Sequence, residues 1–368
     1  MGRAIDELTI EGFKSIKELK GFKLGKLNIL IGANGSGKSN FVDFFRMLRA
    51  FADKSFQEFV NEQGGGDAFF FQGPKRTPEI KARLDFRNNW YEFTLKPTAD
   101  GSLQITSEVT GYLSNTRPLV GGNRESNLSD NKNAASDHFR GYKGIPAHVY
   151  DAVSSWIVYH FYDTSSLAPM RRRHEAADYD ELRSDAANIA PFLANLQEDE
   201  PGSYSLIRDT VRLIAPFFDD FTLRPRKQGD MESLSLEWKQ KSSSFPFQPS
   251  QLSDGTIRFI CLATALLQPN MPGTVVIDEP ELGLHPYAIS ILAALIQSAS
   301  ERTQVIVSTQ SVTLLDYFDP DEIIVVNRSK GASTFDRLDE TSLEAWLGEY
   351  TVGDLWEKNI VQAGPSNE

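Results

Sequence analysis

The residues that most clearly could do chemistry are 32–39, GANGSGKS, which have the spacing of a loop that binds phosphate groups. The glycines of this run permit backbone angles and a close approach that a Cβ atom would block. Its N–H groups can then point at phosphate oxygens, helped by the positive end of the helix that begins near Lys38. Lys38 can reach the β- and γ-phosphates, and the Ser39 hydroxyl can bind Mg²⁺. The run therefore predicts binding of ATP with Mg²⁺.

We expect the nucleotide to contact the whole run and the residue after it, namely Gly32, Ala33, Asn34, Gly35, Ser36, Gly37, Lys38, Ser39 and Asn40. A glycine-rich turn without a ligand is the alternative. However, an apolar run at Lys26–Ile31 predicts a strand before the loop, and apolar residues at helical spacing between Phe41 and Leu48 predict a helix after it. This order of strand, loop and helix favours the phosphate-binding interpretation.

A second chemical feature is TVVIDEPE at 274–281, an apolar strand that ends in carboxylates. Ligands of open α/β sheets bind at the carboxyl ends of the strands. Asp278 is suited to hold Mg²⁺ through a water molecule, and Glu279 to orient or deprotonate an attacking water. A strand that ends in a solvated acidic turn is the alternative, and the glycine-rich loop argues against it. We expect Glu279 and Lys38 to be catalytic.

The third feature is LSDGT at 252–256, which precedes the apolar helix predicted at Ile257–Leu267. Ser253 can cap that helix and donate to a phosphate, and Gly255 allows a close approach of the backbone. An ordinary capped helix, without a ligand, is the alternative interpretation.

Four segments are predicted to position these residues. Residues 1–112 carry the loop and an antiparallel meander at Pro78–Tyr112, where apolar and polar residues alternate. Residues 113–146, rich in Asn, Ser and Gly, are predicted to be a polar mobile loop. Residues 147–248 are expected to be a mainly helical insertion. Residues 249–368 continue as helix, strand, helix, strand and a hairpin, with buried parallel strands at 274–277 and 304–307.

Composition excludes some classes of protein. The chain has 368 residues and a net charge of −12, so its whole surface is not expected to bind nucleic acid. Three local basic runs could contact DNA phosphates: Lys75–Arg76, Arg171–Arg173, and Arg224 with Arg226 and Lys227. The run at 171–173 is the preferred candidate, because it follows Pro169. No stretch is apolar enough to span a membrane, and no signal peptide is expected, so a cytoplasmic location fits.

LSDGT resembles the signature motif of ABC-type ATPases, usually LSGGQ, with departures at Asp254 and Thr256. In that class the signature of one subunit meets the γ-phosphate held by the other. The resemblance therefore implies a head-to-tail homodimer around two ATP molecules. LGLHP at 282–286 resembles the loop that crosses the dimer interface.

The resemblance to ABC-type ATPases also assigns roles to two glutamines. Gln310, in STQS, stands where the class normally has a switch histidine, so the resemblance gives it a catalytic position. A glutamine cannot take a charge, which implies slow hydrolysis. Gln72, in FFFQG, matches the glutamine that senses Mg²⁺ and water, with an ordinary surface loop as the alternative.

The spacing between the motifs, and the motifs near both ends of the sequence, indicate which branch of the ABC-type class the chain resembles. From Ser39 to Leu252 is 213 positions, whereas a transporter subunit needs about half that. LTIEGFKSI, DEPELGLHP and EIIVVNR resemble stand-alone ATPases of the RecF, SMC and OLD-like group. This implies an α/β fold, a P-loop NTPase head of ABC type with a mixed central sheet, an antiparallel β subdomain and a helical insertion lobe. OLD-type proteins add a C-terminal Toprim nuclease, for which the remaining residues are too few.

The resemblance implies a dimeric ATPase that senses or clamps DNA and controls a separate effector such as a nuclease, in DNA repair or antiviral defence. One alternative is an ATP-dependent scaffold or switch for a toxin or nuclease partner, without direct DNA contact. A transporter subunit, the third hypothesis, is disfavoured by the long insertion, and no membrane partner is expected.

Overall fold

The computed structural model describes residues 4–119, 121–136, 143–228, 231–243, 245–339, 341, 343, 346 and 349–361. A six-stranded sheet lies at its centre. Across this sheet the strands have the order β17 (Ala332–Arg337), β16 (Ile323–Ser329), β3 (Leu27–Ile31), β15 (Gln304–Ser308), β14 (Thr274–Asp278) and β8 (Trp156–Tyr159). β16, β3, β15, β14 and β8 run parallel, and the edge strand β17 is antiparallel to β16. The sheet is therefore mixed, as predicted.

Helices cover both faces of the central sheet. One face packs against α1 (Lys38–Asp53), and the other packs against α6 (Asp254–Leu267) and α7 (Pro286–Ser300). Strands covered on both faces must be apolar throughout, and β3, β14 and β15 are buried along their whole length. The predicted strands before the loop and at 274–277 and 304–307 are confirmed.

The alternation of side chains along β14 and β15 decides which way their last residues point. Val276 and Ile306 belong to the core on the α1 side of the sheet. Side chains two residues apart share a face, so Asp278 and Ser308 also lie on the α1 face. Both stand at the carboxyl ends of their strands, next to the start of α1.

A second six-stranded sheet is antiparallel. Its strands have the order β2 (Ile16–Lys23), β1 (Glu7–Phe13), β4 (Ile80–Phe86), β5 (Asn89–Pro97), β6 (Leu103–Tyr112) and β7 (Asn115–Pro118). The meander predicted between Pro78 and Tyr112 is thereby confirmed. This sheet packs on the aromatic side of α1, where the rings of Phe44 and Phe93 stack with centroids 6.4 Å apart. It holds α1, and the loop before it, against the central sheet.

The described part of 113–146 differs from the mobile loop that the composition predicts, while residues 120 and 137–142 lie outside the described residues. The Glu125 carboxylate accepts hydrogen bonds of 3.0 and 2.9 Å from the first two N–H groups of α2 (Phe56–Glu62). Leu128 is fully buried. Polar composition misled the prediction because these polar groups have partners elsewhere in the chain.

The segment 147–248 is less helical than predicted. It contains the end of α3 (Ile145–Val153), then α4 (Ile189–Asp199) and α5 (Pro201–Ile214). Two small antiparallel sheets accompany them, formed by β9 (His174–Glu175), β10 (Phe218–Thr222), β11 (Arg226–Gln228), β12 (Met231–Leu234) and β13 (Glu237–Gln240). β8 joins the central sheet, where Ile157 lies opposite Val275. The apolar run WIVY was the available signal for this strand, because β-branched and aromatic residues favour strands.

The C-terminal part has the predicted order of elements. A short helix, α8 (Val312–Leu315), precedes the hairpin β16–β17. The last described helix, α9 (Val352–Glu357), follows the hairpin. None of the helices within the described ranges is long and apolar enough to cross a lipid bilayer.

Candidate functional site

The loop 32–39 connects β3 to α1 at the carboxyl edge of the central sheet. Gly35 has φ +80°, a conformation that favours glycine, and among the described residues nothing lies within 4 Å of where its Cβ would be. A Cβ on Gly37 would lie 2.0 Å from the Ser333 hydroxyl oxygen, and one on Gly32 would lie 2.1 Å from the Val326 carbonyl oxygen. Gly32 and Gly37 are thus required because the hairpin β16–β17 packs against the loop where their side chains would be.

Lys38 is the first residue of α1, and it is 5% exposed. Its ammonium group donates hydrogen bonds of 2.5 and 3.3 Å to the carbonyl oxygens of Gly32 and Ala33. Burial lowers the pKa of Lys38, against the opposing influence of the carboxylates of Glu279 and Asp278. The amine is therefore held inside the loop, with the carboxylates at and just after the end of β14 as its neighbouring negative charges.

The other polar side chains of the loop differ in their exposure and in their hydrogen bonds. Ser39 is exposed in the first turn of α1. The buried Ser36 hydroxyl has no partner among the described residues. Asn40 instead donates a 2.7 Å hydrogen bond to the Ser15 hydroxyl, in the turn between β1 and β2. The structure thus uses the Asn40 side chain to support the loop, although the sequence placed it among the nucleotide contacts.

Asp278 and Ser308 lie directly opposite each other in the parallel pairing of β14 and β15. Within the part of the chain that the structure describes, neither Oδ1 of Asp278 nor Oγ of Ser308 has a hydrogen-bond partner, although both atoms are buried. Buried polar atoms normally have partners, so the pair is suited to a ligand. No cluster of three or more His, Cys, Asp or Glu side chains able to hold a metal occurs in the described ranges. Mg²⁺ fits the site formed by Asp278 and Ser308, because it commonly takes one or two carboxylates, with water and nucleotide phosphates.

Glu279 follows β14 with φ +44°, a left-handed conformation that is uncommon for residues other than glycine. Its N–H donates a 2.7 Å hydrogen bond to the Ser308 carbonyl oxygen. The Gln310 side-chain amide donates to the Glu279 carboxylate. The structure therefore brings together Glu279 and Gln310, two of the three residues to which the sequence gave catalytic positions.

Glu281 was missed by the sequence reasoning, although it is the third carboxylate of DEPE. Its carboxylate accepts hydrogen bonds of 2.7 Å from the Thr309 hydroxyl and 2.9 Å from the Gln310 N–H. Burial raises the pKa of Glu281. It fixes the segment that carries Gln310.

Ser253 caps α6, as predicted, by accepting a 3.2 Å hydrogen bond from the Thr256 N–H. A Cβ on Gly255 would lie 2.4 Å from the carbonyl oxygen of Gly283, so the two backbones are in close contact. Among the described residues, no hydrogen bond joins Ser253 or Gly255 to the loop at 32–39. The segment LSDGT is instead packed against the segment LGLHP of the same chain.

Arg258, on α6, ties this unit to the end of β8. Its guanidinium donates to the carbonyl oxygens of Phe161 at 2.9 Å, Tyr162 at 3.1 Å, and Leu282. The Tyr162 side chain lines a small cavity together with Asp278, and burial, followed by the influence of that carboxylate, raises the pKa of Tyr162. Tyr162 was missed because only the tertiary fold places the end of β8 beside the end of β14.

Gln72 is exposed and has φ +56°. Its side-chain amide lies beside Gly331, in the turn between β16 and β17, 3.1 Å from where a Cβ of that glycine would be. Its role as a sensor of Mg²⁺ stays a prediction.

In the basic run at 171–173, Arg172 and Arg173 are exposed as the sequence suggests, and Arg171 is not. The Arg171 side chain is 5% exposed and forms an ion pair of 2.8 Å with Asp254. Arg226 and Lys227, of the second run, pair with Glu237 and Glu232. Arg171 is therefore not available as a contact to DNA.

Residues 27–316 match a family described as "AAA domain, putative AbiEii toxin, Type IV TA system". The match includes the loop at 32–39, LSDGT and the carboxylates that follow β14. The chain belongs to this family. Among curated proteins, none matches the sequence significantly.

Two solved structures resemble this member of the family along nearly its whole length. One is an Smc head bound to the C-winged helix domain of ScpA, with a TM-score of 0.60, 16% identity, and coverage of 92% of this chain and 99% of that chain. The other is an Smc head with an extended coiled coil, bound to the C-terminal domain of ScpA derived from Pyrococcus furiosus, with a TM-score of 0.55, 15% identity, and coverage of 94% and 98%. Identities this low establish the fold alone. The chain has the α/β fold of a RecF/SMC-like, ABC-type P-loop ATPase head.

Proposed function

We propose that this chain binds Mg²⁺-ATP and hydrolyses it in a head-to-tail homodimer, where each signature segment completes the site of the other subunit. Lys38, Ser39 and Asp278 would hold the phosphates and Mg²⁺, which supplies charge stabilisation at the γ-phosphate when bound. Glu279, oriented by Gln310, would accept a proton from the attacking water.

One observation carries the proposal. The phosphate loop, Asp278 and Glu279 meet at one edge of the central sheet, whereas Ser253 caps the start of α6 and Gly255 is in backbone contact with Gly283 of LGLHP. A capped helix start with a glycine in backbone contact is suited to bind an anion. A second subunit, turned head to tail, can bring the γ-phosphate to it.

Ser253→Arg tests this arrangement, because a bulky cation should block the partner's γ-phosphate while each subunit's own loop stays intact. Each subunit should still bind ATP, but ATP-dependent dimerisation and hydrolysis should fail. Mixing this variant with Lys38→Ala should restore up to about half the activity per mixed dimer, since one composite site is free of both changes. A Ser253→Arg protein that hydrolyses ATP normally as a monomer would contradict the proposal.

The dimer would act as a switch for a separate effector protein, such as a nuclease or toxin. The family description, which refers to a toxin–antitoxin system, supports this setting. We further propose DNA as a ligand that triggers the switch, in DNA repair or antiviral defence. The fold shared with Smc heads supports the ATP-driven part of this proposal.

A switch that controls its effector without touching DNA is the second candidate. The net charge of −12 and the engagement of Arg171, Arg226 and Lys227 in ion pairs favour it. Hydrolysis measured with and without duplex and single-stranded DNA, at low and moderate salt, separates the two. Stimulation that weakens as salt rises would support the DNA-triggered form, and a rate unchanged by any DNA would support the second candidate.

A further inference from the structure

Arg171 makes more hydrogen bonds to the signature region than the other described side chains around it. It ends the short 3₁₀ turn Pro169–Arg171, and its guanidinium donates to four acceptors in two segments. These are the carbonyl oxygens of Thr164 at 2.9 Å, Pro249 at 2.5 Å and Leu252 at 3.1 Å, and Oδ1 of Asp254 at 2.8 Å. A buried guanidinium bonded in this way fixes the backbone before Ser253 and the Asp254 side chain after it.

Asp254 is the acidic departure from the usual signature. Its side chain is 68% exposed, in the first turn of α6. In a head-to-tail dimer that carboxylate would stand near the triphosphate held by the other subunit, where like charges repel. Arg171 brings a permanent positive charge to the same place, because its side chain is directed at that carboxylate.

We propose that Arg171 is a positioning residue for the signature segment, which fixes the backbone that carries Ser253 and balances the Asp254 carboxylate against the partner's triphosphate. This inference rests on the proposed head-to-tail dimer. The segment that carries Arg171 begins at Phe161 and Tyr162, whose carbonyls bond to Arg258. One stretch of chain thus lies beside Asp278, the proposed metal ligand of its own site, and also contacts the signature segment that would serve the other site.

Arg171→Met tests the positioning role, because methionine keeps an unbranched apolar stem without the guanidinium. ATP hydrolysis and ATP-dependent dimerisation should each fall about tenfold or more, the scale of losing a charge-assisted hydrogen bond. Binding of ATP to the monomer should change less than about twofold. The matched control is Arg124→Met, which removes an exposed ion pair with Asp100 and should behave as the unaltered protein. Arg171→Met with normal hydrolysis would overturn the proposal.

The charge balance has its own test. Asp254→Asn, added to Arg171→Met, removes the unpaired carboxylate and should raise hydrolysis about threefold or more above the single variant. A purely structural role predicts no such rescue, so a double variant no more active than Arg171→Met would overturn the charge balance. If Arg171→Met does not fold, Arg171→Lys keeps the cation without the planar fork and should hydrolyse ATP several-fold more slowly. A folded lysine variant with the unaltered rate would overturn the proposal.

Mixing experiments separate this inference from the proposed dimer. Arg171→Met mixed with Lys38→Ala should regain activity, because the altered signature then faces the altered loop in one site only. If the Ser253→Arg mixture is not rescued, the dimer fails, and the inference fails with it. If Ser253→Arg is rescued but Arg171→Met alone hydrolyses ATP normally, the positioning role alone is overturned.

Discussion

The N–H of Glu279 donates a 2.7 Å hydrogen bond to the carbonyl oxygen of Ser308, which joins the first residue beyond β14 to the end of β15. Glu279 has φ +44° there, and a left-handed residue other than glycine costs about 1–3 kcal/mol. Gln310, which follows the end of β15, donates to the Glu279 carboxylate. The direction of this carboxylate is therefore set by two neighbouring strand ends, which fits the proposed role of Glu279 as the base.

Glu279→Gln should retain ATP binding and slow hydrolysis by roughly 10²-fold or more, the scale of losing a positioned general base. It should also accumulate an ATP-bound dimer, because the nucleotide is no longer consumed. Single-turnover hydrolysis and size-exclusion chromatography with ATP measure the two effects. Normal turnover by this variant would remove Glu279 from the mechanism.

Lys38→Ala should abolish tight ATP binding, since the phosphates lose the ammonium held inside the loop. The ammonium donates to two carbonyls of the loop, so the loss also frees those acceptors. A nucleotide titration by calorimetry measures the change. Lys54→Ala, an exposed lysine just beyond the end of α1, is the control and should bind as the unaltered protein does. Equal affinities for all three proteins would rule out the loop as the nucleotide site.

Tyr162→Phe removes a hydroxyl beside Asp278, whose influence raises the pKa of Tyr162 after that of burial. Because its pKa is raised, the hydroxyl stays protonated at working pH and can orient the carboxylate. The Mg²⁺ concentration for half-maximal hydrolysis should rise about threefold or more, with little change at saturating Mg²⁺. Tyr179→Phe is the control, since both tyrosines are 40% exposed. An Mg²⁺ dependence shared by both variants and the unaltered protein would show that Tyr162 does not support the metal site.

Gly255→Ala should separate LSDGT from LGLHP, because its Cβ would lie 2.4 Å from the Gly283 carbonyl oxygen. Overpacking of this kind costs about 1–3 kcal/mol of folding free energy. We expect ATP-dependent dimerisation to weaken while the isolated subunit still binds ATP. Gly202→Ala is matched, since Gly202 is also the second residue of a helix, and nothing lies within 4 Å of its Cβ position. If thermal unfolding and dimerisation are the same for both variants, the backbone contact between Gly255 and Gly283 does not contribute to function.

Local sequence determined the chemistry of the site. GANGSGKS, DEPE and LSDGT specify a phosphate loop, strand-end carboxylates and a capped helix, because glycine angles, hydroxyl caps and buried apolar strands depend on near neighbours. The alternating meander and the parallel strands could be read the same way, and the structure confirms them. The family match agrees with the resemblance inferred from these motifs.

The sequence did not reveal the partners of groups far apart along the chain. WIVY carried the composition of a strand, but only the strand order places β8 beside β14, and with it Tyr162 beside Asp278. Arg171 was predicted to lie in an exposed basic run, but in the folded chain its guanidinium donates hydrogen bonds to the residues in and before LSDGT. Side-chain partners depend on which segments the sheet and helices bring together. Spacing in the sequence gives the residue types of the site, and tertiary packing decides which of them meet.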